Sequence, residues 1–183
     1  MKNLAQLVLF FPSLFLAFVL SGTLSAQEWQ TPLIHGYGEI KYFDQTAQQP
    51  DPTGEYKLLF DIKSDQLKSG VNKGLWIIAR MLNLMHVGKV PSANVKLVVA
   101  IHGEATYAIL NDNAHQRKFG ESNPNLDLIA QLKKNGVSIY ICSQALAARN
   151  ISFEDIHSDV IPAISALAVV SNYQLKGYHL MPM

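Results

Sequence analysis

Two residues in this sequence combine reactive chemistry with a setting that favours it. Cys142 is the single cysteine among 183 residues. It follows the apolar run Val137 to Ile141 and precedes Ser143-Gln-Ala-Leu-Ala-Ala-Arg149, a stretch of good helix formers. Amide groups at a helix start favour a thiolate, which is how reactive cysteines are commonly activated. His102 follows another apolar run, Val95 to Ile101, with Gly103 and Glu104 directly behind it. An imidazole there can act as a base or orient a sulfur species. Each residue also has a quieter reading. His102 then only hydrogen-bonds its own loop. A lone cysteine makes no internal disulfide, so Cys142 is a small buried hydrophobe, a free thiol, or half of an intermolecular bond.

Other chemistries find little support. His35, His86, His115, His157 and His179 are scattered, with no pair four residues apart and no two-cysteine motif, so no metal centre is expected. Lys68-Ser69-Gly70 and Gly120-Glu121-Ser122 are too short for a phosphate-binding loop, and no Gly-x-Ser-x-Gly elbow is present. No cofactor is expected either. Lys and Arg number 15 against 14 Asp and Glu, and like charges never run beyond two residues. That balance argues against nucleic acid as a partner, and against a charged membrane-binding patch.

The two candidates need elements to hold them. Tyr56 to Ile62, Val95 to Ile101, Val137 to Ile141, Val160 to Ile164 and Tyr178 to Met181 read as strands. Apolar positions at Leu67, Val71, Leu75, Ile78, Leu82 and Met85 recur at steps of three and four, which predicts a helix from Gln66 to His86. His102 to Gly120 reads as a loop with a helical turn that Asn111-Asp112-Asn113 would end. Asn123 and Pro124 cap a helix running to Lys134, with Lys133 and Lys134 in its last turn where the dipole favours them. A last helix spans Ser165 to Lys176. Strands alternating with helices imply an α/β domain over residues 56–183, with a mostly parallel sheet of about five strands and helices on both faces. In such sheets ligands bind outside the carboxyl ends of the strands, where His102 and Cys142 fall. If their strands are neighbours, they share one pocket.

Residues 1–26 have the three parts of a secretory signal peptide: Lys2, an apolar run from Leu7 to Leu20, and a small, polar end at Ala26. The run is about half to two-thirds of the roughly 20 residues a spanning helix needs, so no stable anchor is expected after cleavage. An uncleaved anchor is the alternative. The expectation is an exported, periplasmic protein of one domain. Residues 27–55, rich in Gln, Pro, Gly and Asp, form an irregular arm whose Trp29, Tyr37, Tyr42 and Phe43 pack onto the domain or onto a neighbouring subunit.

The run Asn135-Gly-Val-Ser-Ile-Tyr-Ile-Cys142-Ser-Gln-Ala-Leu-Ala-Ala-Arg149-Asn-Ile151 resembles the cysteine-loop segment of DsrE/DsrF-like proteins. Leu97-Val-Val-Ala-Ile-His102-Gly103 is similar to the strand and turn that precede it in exported members, and Ser165-Ala-Leu-Ala-Val-Val with Lys176-Gly177-Tyr178 resembles the family's tail. The resemblance covers roughly residues 55–183. It implies a flavodoxin-like, three-layer αβα fold and a homo-oligomer, trimer or hexamer. It further implies sulfur-relay chemistry, in which the cysteine matching Cys142 accepts sulfane sulfur as a persulfide from a donor protein and hands it to an acceptor. His102 carries over as a pocket residue. The competing reading is a non-catalytic oligomeric module with an inert, packed Cys142 and the arm at a subunit contact.

Overall fold

The structure, a computed structural model, describes residues 28–183. The signal peptide expected over residues 1–26 lies outside the described residues. In chain order the elements are β1 (Tyr56–Ile62), β2 (Leu67–Lys68), β3 (Val71–Asn72), α1 (Lys73–Val87), β4 (Val95–Ile101), α2 (Asp112–Phe119), α3 (Leu126–Lys134), β5 (Ser138–Cys142), α4 (Ser143–Ala147), β6 (Val160–Ala163), α5 (Ala166–Leu175) and β7 (His179–Met181). Short 3-10 turns cover Ser92–Asn94, Gly103–Ile109 and Phe153–Asp155. Among the described residues, no helix is long and apolar enough to cross a membrane.

Five strands form one parallel sheet in the order β6-β5-β4-β1-β7. β1, β4, β5 and β6 are laid down in one direction across the sheet. α5 then carries the chain back past all of them to set β7 on the far side of β1. Crossovers are right-handed, so connections that travel in opposite directions lie on opposite faces. α1 and α3 therefore share one face and α5 has the other. The expected three layers follow, with two unequal cores. On the first face, Leu75, Ile78, Leu128 and Leu132 bury Phe60, Val99 and Ile139; on the second, Ala166 and Val169 cover Leu59, Val98 and Ala100. Central strands buried on both sides read as unbroken apolar runs, which is why β1, β4 and β5 are legible.

Two stretches differ from expectation. The predicted helix at Gln66 begins only at Lys73, because Ser69 (φ 51°) and Gly70 (φ 81°) adopt left-handed conformations that reverse the chain into the β2–β3 hairpin. Asn72 starts the helix, its Oδ1 accepting from the amides of Gly74 (2.9 Å) and Leu75 (3.3 Å). Leu67 matched the helical spacing by chance and is exposed at the hairpin. Likewise, Asn111 opens a helix where one was expected to end. Its Oδ1 accepts from Ala114 N at 2.8 Å and so caps α2.

The arm packs along α1 of its own domain. Asn83, wholly buried on α1, holds it with all of its amide capacity: Oδ1 accepts from Leu33 N and Ile34 N, and Nδ2 donates to the carbonyls of Tyr37 and Gly38. Ile34 and Ile40 are buried beneath this strap. Gly38 (φ 65°) passes so close to α1 that a Cβ there would lie 2.2 Å from the Arg80 backbone nitrogen. Only glycine fits.

Candidate functional site

β4 and β5 are neighbours, with Ile101 paired to Ile141. One step further along that register, at the carboxyl end of the sheet, His102 follows β4 beside Cys142, the last residue of β5. Side chains alternate faces along a strand, so Val98, Ala100 and His102 share the α5 face with Tyr140 and Cys142. Asp61 belongs to the same row, since β1 pairs it with Ala100.

His102 is held at three points. Its backbone amide extends the sheet ladder to Ile62 O at 3.0 Å. Gly103 turns the chain away at once, with φ 57° and so near β1 that a Cβ would sit 2.8 Å from Lys63 O. The ring Nε2 lies 3.0 Å from Asp61 Oδ1, both side chains about one-third exposed. A carboxylate only accepts, so Nε2 carries the proton and Nδ1 is left as the ring's acceptor. Asp61 is not singled out by sequence pattern, although one signal pointed to it: a lone carboxylate in the otherwise apolar Leu58-Leu59-Phe60-Asp61-Ile62 needs a partner or water. Glu104, the carboxylate nearer in sequence, turns elsewhere and pairs with Arg149 at 2.7 Å.

Cys142 is 7% exposed and packs with Leu59, Val98, Ala100, Ala145, Ala166 and Val169. It occupies the N-cap position of α4, but its side chain makes no capping hydrogen bond. α4 has only five residues and ends at Ala147, because Asn150 takes a left-handed conformation (φ 54°). A single turn sums few peptide dipoles, so the helix-start support expected for a thiolate is small here. Among the described residues no hydrogen bond joins Cys142 to His102. The pair therefore places a thiol and an oriented imidazole on adjacent strands.

Two clefts open at the same end of the sheet. One, of about 290 Å³, lies where the strand order reverses between β1 and β7, and is lined by Asp61, Lys63, Ser64, Lys73 and Met183. The other, of about 330 Å³, lies on the α3 side, between the β2–β3 hairpin and α2. Among the described residues, no three of His, Cys, Asp and Glu gather as ligands to one metal ion. Under α5, the Tyr140 and Tyr173 hydroxyls are 2.8 Å apart, and burial, then this contact, raises the Tyr173 pKa above the ordinary phenol value.

Comparison with known proteins adds the following. A family model described as the DsrE/DsrF-like family matches residues 41–183. The solved structure of a protein of unknown function from Methanobacterium thermoautotrophicum is similar at a TM-score of 0.54 and 19% identity, over 69% of this chain and 97% of that one. At that identity the likeness carries the fold alone. Among curated proteins, none matches the chain.

Proposed function

The chain belongs to the DsrE/DsrF-like family, and from that premise we propose that it handles sulfur, Cys142 taking up sulfane sulfur as a persulfide and passing it on. The observation that carries this reading is the adjacency of Cys142 and His102 on the face where Asp61 holds the imidazole. His102 Nδ1 takes the thiol proton. The Cys142 thiolate attacks the outer sulfur of a donor persulfide, a new S–S bond forms, and the donor's own S–S bond breaks. The donor departs as a thiolate with the bonding electron pair. One sulfur atom changes carrier, with no outside oxidant or reductant. Attack by an acceptor thiolate on the outer sulfur repeats the step and restores Cys142.

Glutathione persulfide tests this directly. The native chain gains the mass of one sulfur atom and Cys142→Ser gains none. A native chain that stays unloaded while a small-molecule thiol loads would rule the proposal out.

The close packing of Cys142 favours a second reading, an inert thiol in a non-catalytic oligomeric module. A thiol reagent that modifies Cys142 only after unfolding selects it. Under either reading the protein assembles as a trimer or hexamer, supported by the exposed apolar side chains of Ile164, Leu167 and Leu175. The leader-like residues 1–26 support export to the periplasm. Fused ahead of a reporter that functions only outside the cytoplasm, they switch it on, and a silent reporter refutes export.

A further inference from the structure

The cleft between the β2–β3 hairpin and α2 is separate from Cys142 and has its own chemistry. His115 on α2 is 7% exposed and lines it. Its Nδ1 lies 2.8 Å from the Glu121 carbonyl oxygen, which only accepts, so Nδ1 carries the proton and Nε2 is an acceptor. Among the described residues Nε2 has no partner. Asp65 and Glu121 bring unpaired carboxylates to the same cleft, and Glu104 brings one that also pairs with Arg149. Asn72 Nδ2 already donates to Ser64 O, and Asn125 Nδ2 to Asn123 Oδ1. His115 Nε2 and the Asp65 and Glu121 carboxylates are thus unpaired acceptors, which a ligand bringing donors and positive charge would complement. Tyr107 and Phe119 add aromatic surface in edge-to-face contact. Lys118 and Arg149 already stand 4.4 Å and 5.7 Å from the Tyr107 ring centroid, so that ring is engaged by resident cations and a ligand's charge is met by the carboxylates.

We infer that this cleft binds a small organic ammonium ion, its N–H groups donating to His115 Nε2 and to the carboxylates of Asp65 and Glu121. A volume of about 330 Å³ suits a short aliphatic amine. The site needs no sulfur chemistry and stands whether or not Cys142 is reactive.

Putrescine is the probe, titrated into the intact chain at about 0.15 M salt so that diffuse surface attraction is screened. Calorimetry gives the affinity, and NMR follows the ring resonances of His115, Tyr107 and Phe119. Saturable binding that shifts those rings is expected, with butane-1,4-diol and succinate inert. Asp65→Asn with Glu121→Gln removes two exposed charges without touching the core. It weakens putrescine binding about tenfold or more for each charge-assisted hydrogen bond removed. Glu154→Gln, outside the cleft, leaves affinity unchanged. His115→Phe abolishes binding if it folds, and the carboxylate pair decides the question if it does not. No shift of the three rings, equal binding of the diol or succinate, or unchanged affinity in the double variant would each overturn the inference.

Discussion

Asp61 is the penultimate residue of β1, in its otherwise apolar second half, and its carboxylate gives the His102 ring a fixed orientation and tautomer. Replacing it by alanine frees the ring without opening the core, because the side chain is about one-third exposed. The proposed sulfur loading of Asp61→Ala falls about tenfold or more, as expected when a general base loses its alignment, while the thermal midpoint barely moves. Rates equal to native would detach Asp61 from the chemistry. Asn83 is the opposite kind of residue, wholly structural. Asn83→Ala strands two amides and two carbonyls beneath the strap and costs about 3 kcal/mol or more, read from chemical denaturation. Faster hydrogen exchange at Leu33 and Ile34 localises the loss.

At the scale of elements, α5 bears an unequal load, as one helix covering the second face of a five-stranded sheet. Its own Tyr173 stays protonated in the folded state to higher pH than in the unfolded chain, because burial and then the Tyr140 hydroxyl disfavour the phenolate. The folded pKa is the higher of the two. Stability from this cluster is therefore intact below about pH 10, where unfolded tyrosine titrates, and is lost as pH rises above it. Denaturation midpoints should stay level up to about that pH and then decline. Tyr173→Phe should decline less, and identical curves would remove Tyr173 from the account. On the other face, α1 and α3 pack a larger aliphatic core with the strap across α1, so deleting residues 28–55 bares α1 and lowers stability.

The whole molecule is lopsided. One face of its sheet is sealed by two helices, whereas the α5 side leaves Leu167 80%, Leu175 87% and Ile164 70% exposed. Apolar side chains gathered at one surface lower their free energy by meeting another apolar surface. In the proposed homo-oligomer this face supplies a subunit contact. Leu167→Asp combined with Leu175→Asp should then lower the subunit count by sedimentation without reducing monomer stability, since neither side chain is packed within the chain. An unchanged assembly would move the contact elsewhere.

How far the sequence determined this protein depended on the range of the forces involved. Buried parallel strands declare themselves as apolar runs, and Asn123-Pro124 announces a helix although the structure starts α3 only at Leu126, after Asn125, so the three layers are legible in local pattern. Cys142 and His102 stand out because each ends such a run. Asp61 does not, since its partner is 41 residues away and only the β1–β4 pairing brings them together. The hairpin at Ser69-Gly70 hides behind apolar residues that keep helical spacing by coincidence. His115, one of several scattered histidines in the sequence, acquires a setting only when the turn after β4 and the hairpin after β1 meet across the sheet end. Periodicity and capping act over a few residues and are written in the chain. Register, face and the assembly of clefts depend on which strand lies beside which, and tertiary packing alone decided that.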